Sequence, residues 1–312
     1  MKNGPETDEC VSMAIPGGGT KGEDRVSASV GLPQPRGSGP RLPFGRRVEL
    51  PGRGTTFVRE VAGPPGAPTL LLLHGWVASA GLNWFQAFEP LRAQFNVVAP
   101  DLRGHARGLR TPSIFRLADC ADDCAATLVE LGTGPVIAVG YSMGGPVAQL
   151  MWRRHRDLVD GLVLCATSAG FVPHRIMRNL YQASMLAATA MARVAWQSRL
   201  LPPVPMVNMR PATMPAWAAA EMRRHDWRMI VEAGHSISTY SAQRWIGEVD
   251  VPTAVVCTTE DRGVAPSLQL ATAEAIRGAT VHSVADGHLA CANSRFVGPL
   301  LDACLDVAGR IA

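Results

Sequence analysis

The amino-acid sequence predicts an α/β fold in which helices flank a mostly parallel sheet. Six short apolar runs recur along the chain, each followed by a segment of helix length: residues 69–73, 95–99, 136–139, 162–164, 253–256 and 281–284. Uninterrupted apolar strands that alternate with helices are typical of a parallel sheet buried on both faces. Ahead of them, residues 48–50 and 55–58 flank a Pro- and Gly-rich turn and predict an antiparallel pair.

The chain divides into three parts. Residues 1–43 are rich in Gly, Pro, Ser and charge and lack a hydrophobic period, so we expect a disordered tail. The apolar runs assign residues 44–167 and 249–312 to the α/β core. Residues 168–248 form a connection too long for a loop, and segments 176–193 and 215–233 have a helical pattern on either side of a Pro-rich stretch. We therefore expect an inserted helical cap.

Composition excludes several classes of protein. The 312 residues carry a net charge of +4 and are 47% hydrophobic, which argues against nucleic-acid binding. Seven scattered cysteines predict reduced thiols and a cytoplasmic protein, and Cys120 and Cys124 fit packing on one helix face better than a metal site. The longest apolar stretch, residues 183–196, is too short to span a membrane and contains Arg193, so we expect no stable membrane insertion. A homo-oligomer is left open.

A candidate nucleophile follows the run at 136–139. There the chain reads Gly140-Tyr141-Ser142-Met143-Gly144 and continues into a helical pattern. A strand, a G-x-S-x-G turn and a helix in this order expose the serine hydroxyl, and the two glycines permit the strained turn. We interpret Ser142 as a nucleophile supported by Gly140 and Gly144.

A serine needs a base and an orienting acid. Asp261 follows the run at 253–256, and His288 lies on the loop after the run at 281–284. Both residues therefore follow the carboxyl end of a predicted strand, as Ser142 does, and are expected at the same edge of the sheet. Glu260 and Asp286 are alternative acids. Among other histidines, His155 is expected to end a helix and His282 to be structural, while the cap residues His174, His225 and His235 are undecided.

The first apolar run ends in His74-Gly75-Trp76. A tetrahedral intermediate needs two backbone N–H donors, and a loop of this kind supplies one while the residue after the nucleophile supplies the other. We assign these donors to Trp76 and Met143, with His74 and Gly75 in support. The alternative is an ordinary turn that His74 pins by hydrogen bonds.

Taken in order, these motifs resemble those of the α/β-hydrolase fold family, from about Arg46 to the C-terminus. The run Asp101-Leu102-Arg103-Gly104-His105 resembles that family's D-x-R-G-H loop, for which the resemblance implies a bracing role. It also implies a hydrolase without a cofactor or metal. Ser142 is similar to the nucleophile of the esterase, lipase and cofactor-free haloperoxidase branches. The chain departs from epoxide hydrolases and haloalkane dehalogenases, whose nucleophile is Asp, and lacks the H-G-G-G and H-G-S-G-P-G loops of other branches.

The sequence thus predicts a serine hydrolase that cleaves carboxylic esters through an acyl-enzyme. Two alternatives remain: a perhydrolase or acyltransferase on the same triad, and a non-catalytic ligand-binding receptor of the same fold. Eight of the twelve Met and four of the seven Trp lie within residues 171–247. They either fill small cap helices or line a pocket for an apolar acyl chain or an aromatic ester.

Overall fold

An eight-stranded sheet forms the centre of the computed structural model, which describes residues 39–171, 175–197 and 213–311. The strands are β1 Gly45–Leu50, β2 Gly54–Val61, β3 Thr69–Leu73, β4 Asn96–Pro100, β5 Val136–Tyr141, β6 Val159–Cys165, β7 Thr253–Thr258 and β8 Thr280–Val284. Their order is β1-β2-β4-β3-β5-β6-β7-β8. Pairing is antiparallel from β1 to β4 and parallel from β4 to β8, so the predicted mostly parallel sheet is confirmed.

The described helices are α1 Ala80–Trp84, α2 Phe88–Arg92, α3 Leu117–Glu130, α4 Gly144–Arg154, α5 Arg175–Gln197, α6 Met214–Met222, α7 Trp227–Thr239, α8 Pro266–Ala275 and α9 Val297–Gly309. Helices α3, α4 and α8 pack on one face of the sheet, and α1, α2 and α9 pack on the other. Successive strand residues point to opposite faces, so Leu71 and Leu73 join one apolar core while Leu70 and Leu72 join the other. Burial on both sides explains why the central strands read as continuous apolar runs.

Strand β6 begins three residues before the predicted run at 162–164. Asp160 is exposed and Gly161 follows it, so the sequence pattern loses its apolar character there. Gly161 lies beneath α9, where a Cβ atom would come within 2.4 Å of Val307 Cγ1. Close packing of this helix against the strand therefore accounts for the glycine.

Between β6 and β7 the chain forms α5, α6 and α7, which we call the cap helices. The predicted helix at 176–193 corresponds to α5, but a single helix at 215–233 is wrong, because α6 ends at Met222 and α7 begins at Trp227. The Asp226 side chain caps α7 by accepting a hydrogen bond from Met229 N. The Pro-rich stretch and the junctions at 172–174 and 198–212 lie outside the described residues.

The two ends of this excursion meet. Gly170 and Ser241 form an isolated antiparallel bridge, and Ala242 N donates to Ala169 O at 2.7 Å. Beyond them, α7 packs on the loop after β4, where a Cβ atom at Gly104 would lie 2.5 Å from Met229 Cβ. The chain leaves the core and returns to it at one point. The division into a core and a cap domain at 168–248 stays a prediction.

Residues 1–38 of the predicted tail lie outside the described residues, but residues 39–43 do not. Leu42 packs against the core cluster that contains Leu70 and Leu72, and Pro43 is buried. The packed chain therefore begins before the predicted boundary at residue 44.

Cys120 and Cys124 lie on α3 and are buried in the apolar core, as the four-residue spacing predicts. All six cysteines within the described part of the chain are free thiols. In that same part, no helix has both the length and the apolar character needed to cross a membrane.

Candidate active site

Ser142 lies on the turn between β5 and α4 with a backbone φ of +50°, a value that residues other than glycine rarely adopt. Its amide donates to Cys165 O at 2.9 Å and so holds the turn against β6. A Cβ atom at Gly140 would lie 2.3 Å from Gly144 O, and one at Gly144 would lie 2.1 Å from Leu73 O. Both glycines are therefore required for the backbone to approach itself this closely.

Ser142, His288 and Asp261 form a continuous hydrogen-bonded chain. Ser142 Oγ lies 2.9 Å from His288 Nε2, and His288 Nδ1 lies 2.8 Å from Asp261 Oδ2. A carboxylate can only accept, so Nδ1 carries the proton and the unprotonated Nε2 accepts from the serine hydroxyl. The carboxyl ends of β5, β7 and β8 bring together residues that are far apart in sequence.

Asp261 is fully buried, and local donors hold its carboxylate. Oδ1 accepts from Gly263 N at 2.7 Å and from Val264 N at 2.8 Å, and Oδ2 also accepts from Thr258 Oγ1 at 2.8 Å. Burial raises the pKa of this carboxyl, but the hydrogen bonds from His288, Val264 and Thr258 outweigh burial and lower the pKa below its ordinary value. Asp261 is thus held as an ionised acceptor facing the histidine.

The two alternative acids are placed differently. Glu260 is exposed, and its amide donates to Asp286 O at 3.1 Å. The Asp286 carboxylate accepts from Gly287 N at 2.7 Å and from Asn293 Nδ2 at 2.8 Å. Asp286 therefore shapes the loop that carries the histidine, while Asp261 makes the contact with the imidazole.

Sequence reasoning missed two residues that position the histidine. Tyr141 donates from its hydroxyl to His288 O at 2.8 Å and accepts from Cys291 N at 3.4 Å. Gly263 faces the imidazole, where a Cβ atom would lie 2.8 Å from His288 Cγ. Tyr141 occupies a variable place within G-x-S-x-G, and no local pattern connects Gly263 to a ring 25 residues away. Neither residue carried a signal in the sequence.

The loop after β3 lies against the nucleophile turn. Gly75 N donates to Asn83 Oδ1 at 2.9 Å, and a Cβ atom at Gly75 would lie 3.4 Å from Ser142 Cβ. Within the described residues, the amides of Trp76 and Met143 donate to no protein acceptor. The loops that flank the serine thus contain two amides without an acceptor, and the assignment of Trp76 and Met143 as oxyanion donors stays a prediction.

His74 fixes this loop from beneath, as the turn interpretation predicts. Its Nε2 accepts from Leu102 N at 2.9 Å, and its Nδ1 lies 2.8 Å from Gly75 O. One nitrogen accepts and the other donates, so the ring is neutral with its proton on Nδ1. Complete burial lowers the pKa of His74 to about 3, which keeps this pattern intact at neutral pH.

The Trp76 side chain joins the loop to the cap helices. Its Nε1–H donates to Ile230 O on α7 at 2.8 Å. A Cβ atom at Gly234 would lie 2.8 Å from Trp76 Cζ2 and 3.3 Å from Met185 Sδ on α5. The indole therefore fits over a glycine one helical turn from its hydrogen-bond acceptor.

The loop after β4 has the bracing role implied by its resemblance to D-x-R-G-H. Asp101 accepts from Ala80 N at 2.9 Å and from Arg107 N at 3.1 Å. Arg103 binds both carboxylate oxygens of Asp123 on α3, at 2.7 and 2.8 Å. These contacts tie the loop after β4 to α1 and to α3.

Among the described histidines, only His288 lies within hydrogen-bonding distance of Ser142. His155 ends α4, with Nε2 2.8 Å from Asp122, and His282 lies within β8, as expected. Three cap candidates remain: His225, which precedes α7, His235 on α7, and His174, which lies outside the described residues.

Curated proteins match this chain over part of its length. The pimeloyl-[acyl-carrier protein] methyl ester esterase of Chromobacterium violaceum is 38% identical over 106 residues, which cover 34% of this chain and 39% of that protein. The soluble epoxide hydrolase of Corynebacterium sp. is 34% identical over 103 residues, 33% of this chain and 36% of that protein. The chain therefore spans well under half the length of these curated relatives.

Solved structures extend the similarity over most of the fold. An esterase from Exiguobacterium antarcticum matches with a TM-score of 0.67 at 16% identity, over 83% of this chain and 98% of that one. A hydrolase from Pseudomonas aeruginosa matches with a TM-score of 0.66 at 22% identity, over 85% and 98%. The family model described as alpha/beta hydrolase fold matches residues 68–293. The chain belongs to the α/β-hydrolase fold family.

Proposed function

We propose that this protein is a serine hydrolase that cleaves carboxylic esters. The observation that carries the proposal is the chain of contacts from Ser142 Oγ to His288 Nε2 and from His288 Nδ1 to Asp261, at 2.9 and 2.8 Å. A hydroxyl becomes a strong nucleophile when a base removes its proton as it attacks, and an oriented imidazole is such a base.

In the first half-reaction, Ser142 Oγ attacks the ester carbonyl carbon while its proton moves to His288 Nε2. The imidazolium is stabilised by the buried Asp261 carboxylate. When the tetrahedral intermediate collapses, His288 returns the proton to the departing alcohol and an acyl-enzyme remains. Water then attacks the acyl-enzyme while its proton moves to His288. The bond from the acyl carbon to Ser142 Oγ breaks, His288 returns the proton to Ser142 Oγ, and the acid product leaves.

The negative charge of both tetrahedral intermediates would rest on the amides of Trp76 and Met143. An amide aimed at a developing oxyanion stabilises the transition state without reorganisation, and the loss of one such donor costs about 3 kcal/mol. Gly75 and His74 set the position of the first amide, and the turn through Gly140 and Gly144 sets the second. We assign these four residues supporting roles.

The relatives support ester chemistry over their other activities. One is a methyl ester esterase and a structural neighbour is an esterase. The similarity to the soluble epoxide hydrolase does not transfer that reaction, because a serine stands at position 142 where epoxide hydrolases use an aspartate nucleophile. Around the site, Trp76 and Met185 offer apolar and aromatic surface, which favours an ester with an apolar acyl chain or an aromatic group.

The test compares Ser142→Ala with Ser283→Ala, which removes an exposed hydroxyl from β8. Wild type and Ser283→Ala should hydrolyse p-nitrophenyl esters and be labelled by a fluorophosphonate. Ser142→Ala should lose labelling and at least a thousandfold in kcat. A wild-type protein that neither turns over nor labels, or a Ser142→Ala variant that still labels, would overturn the assignment. Adding an alcohol or peroxide as a competing acceptor separates hydrolysis from acyl transfer.

A further inference from the structure

The loop after β3, residues 74–79, contains the proposed Trp76 donor and passes through a strained residue. Val77 has a backbone φ of +55°, which a β-branched residue rarely adopts. A strained backbone persists only where surrounding contacts fix it. One such contact is the hydrogen bond from Gly75 N to Asn83 Oδ1 on α1, at 2.9 Å. Helix α1 therefore supports the loop at the residue directly before the Trp76 amide.

Helix α1 is in turn held by cap helix α6. The hydroxyl of Ser79, the N-cap of α1, accepts from Leu82 N at 3.1 Å and donates to Glu221 Oε2 at 3.3 Å. One helical turn earlier on α6, Trp217 packs edge-on against Phe85, with ring centroids 5.8 Å apart. These contacts lie at opposite ends of α1. A five-residue helix is not stable by itself in water, so α6 helps to fix both its position and its direction.

The Glu221 carboxylate is fixed in place by its own partners. The side chain is buried, and Nη1 and Nη2 of Arg107 lie 2.8 and 2.6 Å from its two oxygens. Arg224 Nε lies 3.3 Å from Oε1. Burial raises the pKa of this carboxyl, but the hydrogen bonds and charge of Arg107 outweigh burial and lower the pKa below its ordinary value. Glu221 therefore faces Ser79 as an ionised acceptor in one position.

We propose that Glu221 is a positioning residue for the oxyanion site, and the inference rests on the proposed ester hydrolysis. Through Ser79 and α1 it sets the position of Asn83, and Asn83 sets the peptide that precedes the Trp76 amide. Glu221 acts on geometry and touches no reacting atom. An amide aimed at the oxyanion is used mainly in the transition state, so displacing it should lower kcat and leave KM little changed.

The test compares Glu221→Ala with Glu232→Ala as a matched control. Glu232 is also a buried carboxylate of the cap helices, 1% exposed against 3% for Glu221. It pairs with Arg228 and Arg193 and accepts from Phe115 N at 2.9 Å. Within the described residues, its hydrogen bonds and ion pairs reach neither α1 nor the loop after β3. Both substitutions remove a buried charge, and only one removes a contact with α1.

Three measurements separate positioning from stability. Steady-state hydrolysis gives kcat and KM. A trifluoromethyl ketone, whose tetrahedral adduct with Ser142 has an oxyanion, reports on the donor amides. Hydrogen–deuterium exchange of peptides covering residues 74–84 reports on the loop and α1 without any turnover. Glu221→Ala should lower kcat and ketone affinity by about tenfold each, keep KM within about twofold and raise the exchange. Glu232→Ala should stay within about twofold of wild type in kcat and ketone affinity, with unchanged exchange at 74–84.

Circular dichroism establishes that each variant folds. Ser79→Ala leaves the pair between Glu221 and Arg107 in place, gives a second measure of the same contact, and should lower kcat by about threefold or more. The inference is overturned if Glu221→Ala and Ser79→Ala lose stability alone, or if Glu232→Ala loses as much activity as Glu221→Ala. Those results with an active wild type refute this inference alone. A wild type that neither turns over nor labels refutes the proposed function, and the exchange data then decide whether Glu221 holds the loop.

Discussion

Replacing Gly234 by alanine tests whether the Trp76 indole positions the proposed oxyanion loop. A Cβ atom at this position would lie 2.8 Å from Trp76 Cζ2 and 3.1 Å from Cη2, whereas carbon atoms pack at about 3.5–4.0 Å. The indole must therefore move by roughly 0.7–1.2 Å. It is tied to Ile230 O by a 2.8 Å hydrogen bond, and the backbone amide of the same residue is a proposed oxyanion donor.

Two effects on stability compete in Gly234→Ala. Alanine in a helix is favoured over glycine by about 0.5–1 kcal/mol, and overpacking costs about 1–3 kcal/mol. We expect a net loss of about 1 kcal/mol. Gly298→Ala is the matched control, because a Cβ atom at this α9 position has nothing within 4 Å. It lies in the first turn of its helix and should gain about 0.5 kcal/mol.

The assay is steady-state ester hydrolysis together with urea unfolding of both variants. Complete loss of an oxyanion donor costs a factor of about 10²–10³ in kcat, and a partial displacement should lower kcat by roughly tenfold with KM little changed. Gly298→Ala should keep the wild-type kcat. Full activity in Gly234→Ala would show that the indole does not steer the loop, and equal losses in both variants would point to a general effect on folding.

Three further predictions follow from contacts in the site and beneath it. Asp261→Asn should lower kcat by about 10³–10⁴-fold while Glu260→Gln stays within twofold in the same kinetic assay; equal effects would contradict the assignment of the acid. Gly144→Ala places a Cβ atom 2.1 Å from a carbonyl oxygen and should cost more than about 3 kcal/mol, so a melting temperature near wild type would refute the close approach. Burial lowers the pKa of His74 to about 3 and of His225 to about 4. Between those values and about 6.5 the unfolded chain binds more protons than the folded one, so stability should fall as pH drops, by about 2 kcal/mol per histidine at pH 5. Urea unfolding at pH 7 and pH 5 measures this, and equal stabilities would refute it.

The sheet was predictable because its central strands are buried on both faces. Continuous apolar runs arise from that burial in β3 to β7, and the run at 281–284 corresponds to the edge strand β8, where Val281 and Ser283 are exposed. The break between α6 and α7 was not predictable from the sequence, because hydrogen bonds to distant residues produce it. Asp226 N donates to Gly104 O at 2.8 Å, and Ala106 N donates to His225 Nδ1 at 2.8 Å. An apolar pattern records which face is buried, and it contains no information about carbonyl groups 120 residues away. Asp226 as a helix cap was the one local signal for the break.

The residues of the candidate site also divide into those that the sequence pattern predicts and those that it does not. Ser142, Asp261 and His288 follow apolar runs directly, so strand ends mark them in the sequence. Tyr141 and Gly263 act through space, one on the histidine's carbonyl and the other by leaving room for its ring. Pairs of this kind become visible only after the sheet has set the register of its strands.

The bridge between Gly170 and Ser241 has a consequence for how this fold can diversify. Because the excursion departs and returns through adjacent residues, its length and content are geometrically independent of the sheet, and loop-closure entropy grows only slowly with added residues. A helical segment of different sequence can therefore replace this one at the junction without changing the registers of the strands. Substrate choice can then change with the segment, within the limit set by its contacts with the core, among them the hydrogen bond from Trp76 Nε1 to Ile230 O.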